Sequence, residues 1–326
     1  MTDLQKTPFV RELASSDRRT RDKATESLTL FLRSRTDLSL IELLKLWKGL
    51  FFCFYHSDRP LTQQALARNL SYALVPTLPR ATLQRFLRAF WITIGRDFHS
   101  LDRLRLDKYL FLIRCYVGVA FEVFVKGAKT QAQEETNKKR KRQDSGKKEK
   151  NKRSKGKKKA QAEAEDEDEE KEDAAANGDG AQKWADLESY LSIIEEGPLC
   201  PLNFDPDQPA ADEANDYVPM PHGPDGLRYH IMDIWIDELE KVLEFDEEVD
   251  GEEEPQSRKP KGEVPMELLL RPIEKLRTDC PYKPVRTRAA ETLNDDRLVE
   301  WGFKTRPVQE EDDDEDSEIE WGGFDD

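Results

Sequence analysis

The chain has 326 residues, 37% of them hydrophobic and 37% charged, so only part of its length can bury a core. Its net charge of -15 conceals an asymmetry: residues 1–126 hold 21 Lys/Arg against 12 Asp/Glu, and the rest of the chain is strongly acidic. No uninterrupted apolar run is long enough to span a bilayer and no apolar leader follows the first residues, which argues against secretion and membrane insertion and for an intracellular protein.

In chain order, a short helix is expected over residues 9–14, and Asp17 caps a second that carries Ala24, Leu28, Phe31 and Leu32. Residues 34–37 turn the chain into its most apolar stretch, residues 38–58. There Ser39 and Glu42 form an S-x-x-E capping box, and Leu38 and Leu43 stand at the positions of a hydrophobic staple. Leu40, Leu44, Trp47, Phe51 and Phe54 recur at helical spacing, and Leu43, Leu50 and Phe52 widen the stripe until only a narrow strip with Lys45 and Lys48 stays polar. Such a helix belongs in the middle of a domain. Asp58 and Pro60 are expected to cap and open the next helix, with Leu61, Ala65, Leu66, Leu70, Leu74 and Val75. Another follows with Leu83, Phe86, Leu87, Phe90, Trp91, Ile94 and Phe98 at i, i+3, i+4, i+7 spacing, Arg85 and Arg88 lying off that stripe. The last, over residues 102–125, buries Leu106, Leu110, Ile113, Val117, Phe121 and Phe124. Six helices in three pairs of roughly 40 residues match the spacing of HEAT or armadillo arrays, with a compact irregular bundle as the alternative.

From residue 127 the composition changes. Lys138, Lys139, Arg140, Lys141 and Arg142, followed by a second cluster over 147–159, make a basic run that cannot fold alone and suits nuclear import or phosphate contact. An acidic block over 163–173 reverses the sign. Trp184, Leu187, Tyr190, Leu191 and Ile194 mark a short helix ending at Gly197, and the Pro-rich stretch 198–224 should run extended, docking through Phe204 and Tyr217. Leu227, Ile231, Ile234, Leu239 and Val242 face a further helix, with Trp235 flanking. These pieces are too short to fold alone, so they should pack on the N-terminal helices or on a partner. Residues 266–276 form a helix that Pro272 should kink or divide, 280–288 read as an extended basic arm, and Leu298 and Trp301 make a last apolar knot. Beyond Pro307 the tail is acidic except for Ile319, Trp321 and Phe324, a composition that suits a short linear docking motif and equally an unbound disordered end.

No P-loop, G-x-G-x-x-G, H-E-x-x-H or G-x-S-x-G occurs. Cys53, Cys115, Cys200 and Cys280 show no metal spacing and read as reduced thiols; His56, His99, His222 and His230 read as capping or packing residues. No enzyme, metal, cofactor or small-molecule substrate is therefore expected.

The stretches LLKLWKGLFFCFYHSDRPL (43–61), FLRAFWITIGRDF (86–98) and SLDRLRLDKYLFLIR (100–114) resemble the ribosomal RNA processing protein 1 family of nucleolar proteins, as do TRDKA (20–24) and GLRYHIMDIWIDELEKV (226–242). The resemblance implies a non-catalytic helical-repeat factor of the nucleus and nucleolus that joins precursors of the large ribosomal subunit and is needed for processing their RNA. Its partners would be pre-ribosomal RNA, other assembly factors and ribosomal proteins. The alternative is a nuclear transport or chaperone-type adaptor for basic proteins.

The expected fold is all-α, a helical-repeat (HEAT/armadillo-like) domain over 1–126 with extended, partly disordered C-terminal segments: a disordered basic-then-acidic linker over 127–182, short docking helices and extended segments over 183–306, and an acidic disordered tail over 307–326. The expected RNA or partner surface is Lys45, Lys48, Arg85, Arg88, Arg103, Arg105 and Lys108, and the expected docking anchors are Trp184, Trp235, Trp301 and Trp321. For the seven cations a second reading, face charges or intramolecular pairs, stays open.

Overall fold

The computed structural model describes residues 11–13, 15–127, 183–245 and 258–304, and over these the chain is all-α; two isolated β-bridges are the only extended pairing among them. Helix α1 (Arg18–Arg33) starts at Asp17, whose carboxylate accepts from the Thr20 amide at 2.9 Å and the Thr20 hydroxyl at 2.7 Å. Helix α2 (Leu40–Tyr55) opens with the complete Ser39/Glu42 capping box, and Leu38 and Leu43 are both buried, as a staple requires. Helix α3 (Pro60–Arg68) has Pro60 in its first turn and runs through a π-helical turn (Asn69–Ala73) and a 3-10 turn (Val75–Thr77) into α4 (Arg80–Asp97). Asp102 then caps α5 (Arg103–Phe121) through the Leu104 and Arg105 amides. After residues 128–182 come α6 (Ala185–Glu196), α7 (Asp225–Val242), α8 (Met266–Asp279), α9 (Lys283–Leu293) and α10 (Asp296–Glu300).

These helices alternate between two layers. In one, α2 packs on α4, α4 on α6 and α6 on α8; in the other, α3 packs on α5, α5 on α7 and α7 on α9. That alternation is the packing of a helical-repeat array, in which each unit covers the apolar face of the one before it. The helices beyond residue 182 therefore continue the array, and one hydrophobic core runs from Leu13 to Trp301.

Aromatic side chains fill the space between the layers. The Trp47 indole N–H donates to the Phe86 carbonyl at 3.1 Å, and its ring packs on Phe86, Phe90 and Tyr116 at 5.0–5.3 Å. The Tyr109 and Tyr116 hydroxyls donate to the Phe51 and Leu70 carbonyls, so each of these three rings is buried without an orphaned donor. Further along, Phe121 meets Trp235 edge to face at 5.0 Å, Phe124 stacks on Tyr190, and the Trp235 N–H reaches the Leu269 carbonyl at 3.1 Å.

Four local expectations are corrected. Residues 283–293 are helical, not an extended arm, because Pro284 sits in the first helical turn, where a missing N–H costs nothing. Pro272 does not divide α8, which runs unbroken from Met266 to Asp279. Asp58 does not cap α3; Arg59 is the capping residue and makes no side-chain bond, while Asp58 accepts from Lys108. Phe204 is 79% exposed and anchors nothing, whereas Leu199, Val218 and Met220 bury the Pro-rich stretch.

Candidate functional site

The seven expected surface cations fall into two groups. Lys108 is buried under the C-terminus of α2, donating to the Tyr55 and Ser57 carbonyls at 2.8 and 3.1 Å and to Asp58 at 3.0 Å. There it satisfies carbonyls that a helix end leaves without partners, and burial pushes its pKa below that of an ordinary lysine. Arg105 lies 4.2 Å from the centroid of the Tyr55 ring and pairs with Asp102 at 2.6 Å and Asp58 at 3.3 Å. Arg88 grips Glu196 with two bonds of 2.6 and 2.7 Å and donates to the Val218 carbonyl, and Arg85 reaches the Thr36 carbonyl and Asp216. These four tie the array together. Lys48 is exposed but paired with Asp97 at 2.7 Å, while Lys45 and Arg103 are exposed with no ion pair among the described residues.

Asp216 shows how closely the later segments join the earlier ones. Its carboxylate accepts the Leu40 amide, the first of α2, at 2.7 Å across 176 positions of sequence. To do so its backbone takes φ 50°, a left-handed conformation that Asp tolerates better than most residues.

The exposed side of α2 presents Lys45, Lys48, Phe52 and His56 at spacings of three and four, so they share one ridge. Phe52 is 38% exposed, and the His56 ring lies nearly parallel to it at 6.5 Å. At the end of this ridge the first turns of α3 and α5 show Leu61, 83% exposed, and Leu104, 91% exposed. Sequence periodicity assigned Phe52 and Leu61 to the core and passed over Leu104; Leu61 stands in the first turn of α3, where a residue can keep the helical period before the helix has reached its neighbours. The ridge combines cations with open apolar and aromatic faces, which can stack bases or hold apolar side chains of an acidic partner.

Trp184, Trp235 and Trp301 are buried in the chain's own core. Trp321 and the run Lys138, Lys139, Arg140, Lys141 and Arg142 lie outside the described residues. An ion-pair seam not foreseen from sequence joins α5 to the later helices: Arg114 binds Glu238 at 2.5 Å and Asp237 at 2.9 Å, and Arg297 binds Asp237, Glu240 and Asp295 at 2.8–3.0 Å. Glu238 is fully buried beside Gly118, where an added Cβ would stand 2.7 Å from the Glu238 carboxylate. Arg114→Ala should cost about 1 to 3 kcal/mol by stripping a buried carboxylate of a partner, read as a lowered Tm. Arg297 holds the Asp295 carboxyl below the usual carboxylate range. A depressed carboxyl contributes stability that is fully present above its unfolded value, about 4, and is lost as pH falls through the lower folded value. The fall in Tm on acidification below about pH 4 should therefore be shallower in Asp295→Asn than in the parent chain.

An open groove of about 690 Å³ lies beside α6 and α8, lined by Glu195, Glu196, Tyr217, His222 and Lys275 among others. Two of its carboxylates are already engaged, Glu195 by Arg271 and Glu196 by Arg88.

Residues 4–139 and 214–323 match the family described as nucleolar protein Nop52. The match passes over residues 140–213 and so omits α6, although α6 packs between α4 and α8. The chain is 27% identical to ribosomal RNA processing protein 1 homolog B of Homo sapiens over 239 residues, 72% of this chain and 22% of that protein. It is 38% identical to the Mus musculus homolog B over 130 residues, 38% of this chain and 18% of the other. With homolog A of Homo sapiens the identity is 36% over 132 residues, 39% of this chain and 28% of the other. The alignments thus span between 18% and 28% of the length of these curated relatives.

Proposed function

The chain belongs to the Nop52 family of nucleolar proteins, and on that premise we propose that it is a non-catalytic ribosome-biogenesis factor, a scaffold in nucleolar precursors of the large subunit that is required for processing their RNA. The observation that carries this reading is the continuous two-layer array, in which helices on both sides of residues 128–182 share one core. Such a body acts by holding. Its partners are pre-ribosomal RNA, other assembly factors and ribosomal proteins, and the ridge with Lys45, Phe52, His56 and Arg103 is the face on which they meet it.

Depleting the protein should make unprocessed large-subunit precursor RNA accumulate, and a tagged chain should sediment with those precursors; unchanged precursor ratios would overturn the reading. Lys45→Glu combined with Arg103→Glu should weaken binding to structured RNA and reduce the slope of log affinity against log salt by about 2, one unit for each phosphate no longer neutralised. Tight binding of basic nuclear proteins with little affinity for RNA would favour a transport or chaperone adaptor instead. Replacing Lys138, Lys139, Arg140, Lys141 and Arg142 by alanine should leave the protein cytoplasmic, and a grafted unrelated nuclear signal should restore growth. Failure of the graft would shift that run from import to RNA contact.

A further inference from the structure

We infer that the acidic tail of this chain, residues 307–326, docks on the exposed face where the C-terminus of α2 meets the first turns of α3 and α5. Three helix ends are fixed together there. Asp58, in the α2–α3 connection, binds both Lys108 and Arg105 of α5, and Arg105 covers the Tyr55 ring. Around this junction Phe52, Leu61 and Leu104 stand open. Two nearly bare leucines beside a half-open phenylalanine leave apolar area in water that an occupant would cover. The rim carries Lys45, Lys48, Arg59, Arg103 and Arg105. Of its carboxylates, Asp58, Asp97 and Asp102 already serve cations of the same face; Lys45, Arg59 and Arg103 have no ion pair among the described residues, against one such carboxylate, Asp107, exposed a turn beyond Arg103, so open cations are in excess. An occupant must therefore be acidic and must bring apolar side chains.

The tail has that chemistry. Residues 307–326 contain 11 Asp/Glu, no Lys or Arg, and the apolar Ile319, Trp321 and Phe324. The acidic stretches 163–173 and 246–254 carry no aromatic residue, so they match the rim but not the apolar centre. In an extended strand Ile319 and Trp321 would share one side, so both could face the same apolar patch. Reach is ample. Lys304 is held at the end of α9 through the Leu293 carbonyl, α9 packs on α7 and α7 on α5. Two helix spacings of about 10 Å and the roughly 28 Å length of α5 put the face within about 35 Å. The 17 residues from Lys304 to Trp321 span up to about 56 Å when extended. The family match also runs to residue 323, past the last described helix and through Trp321. Docked there, the tail shields the ridge from other anionic partners until a better competitor displaces it.

The test uses the full chain with photoreactive benzoylphenylalanine in place of Phe324, irradiated dilute and as a mixture of isotope-labelled and unlabelled copies. Crosslinks are expected within single copies, to peptides containing residues 52–61 or 101–105. They should disappear in Leu61→Glu/Leu104→Glu, whose exposed positions leave the Tm unchanged. Crosslinks that fall elsewhere, that survive the double substitution, or that join only different copies overturn the proposal. Protection of Phe52 by oligouridine with no crosslink from position 324 also overturns it and assigns the face to nucleic acid. In the parent chain, a tail that occupies the face about 70 to 90% of the time weakens oligouridine binding about 3- to 10-fold relative to Ile319→Ala/Trp321→Ala/Phe324→Ala. Equal affinities in the two chains count against the proposal. None of these readouts depends on nucleolar location, so the contact and the scaffold role fail separately.

Discussion

Trp235→Ala should lower the stability of the full chain by about 3 to 5 kcal/mol, the cost of deleting a large aromatic from a packed core. The ring is fully buried in α7, meets Phe121 of α5 edge to face, and donates its indole N–H to the Leu269 carbonyl of α8. One side chain thus joins three helices. A folded domain has only about 5 to 15 kcal/mol in total, so soluble yield should fall with the Tm. Trp235→Phe, which keeps most of the ring and loses the hydrogen bond, should cost less. A Tm unchanged in Trp235→Ala would show that α7 leaves the array in solution.

The second large effect concerns the chain ended at residue 126. Its composition suggests a self-sufficient helical domain, but the packing predicts otherwise. Removing α7 uncovers the side of α5 that carries Leu110, Gly118 and Phe121 and strips Arg114 of both carboxylates, while removing α6 leaves Phe124 without Tyr190. Removing α6 frees Arg88 from Glu196, and losing the 212–217 turn removes the Asp216 cap of α2. The fragment should keep far-ultraviolet helical dichroism, lose the near-ultraviolet signal of fixed aromatic rings and bind a hydrophobic dye. A sharp cooperative transition with a native-like aromatic signal would refute this.

The N-terminal helices were legible because local chemistry marks their ends: Asp17, the Ser39/Glu42 box and Pro60 all act within four residues. The role of Trp235 was not. Its helix buries Leu227, Ile231 and Leu239 on one side and Met232, Trp235 and Ile236 on others, since neighbours cover it nearly all round. A periodic pattern cannot rank faces that are all covered. The charged residues were the least legible. Arg85, Arg88, Arg105 and Lys108 look like a basic surface in sequence; Arg105 has one partner within reach of spacing alone, Asp102 three positions before it, but Asp216, Glu196 and Asp58 lie 47 to 131 positions from the cations they bind, and only the fold brings these together.

The turn that follows α5 and helix α6, the described elements on either side of residues 128–182, are in contact through Phe124 and Tyr190. The covalent link across residues 128–182 therefore joins surfaces that already adhere. Severed within that span, the two polypeptides should stay together as a non-covalent pair, and separately expressed halves should complement each other when mixed. Lengthening the link should matter little, because each doubling of a connection's length adds only about 0.6 kcal/mol of closure entropy. Insertions and deletions can thus accumulate there while the helical body on either side keeps its shape.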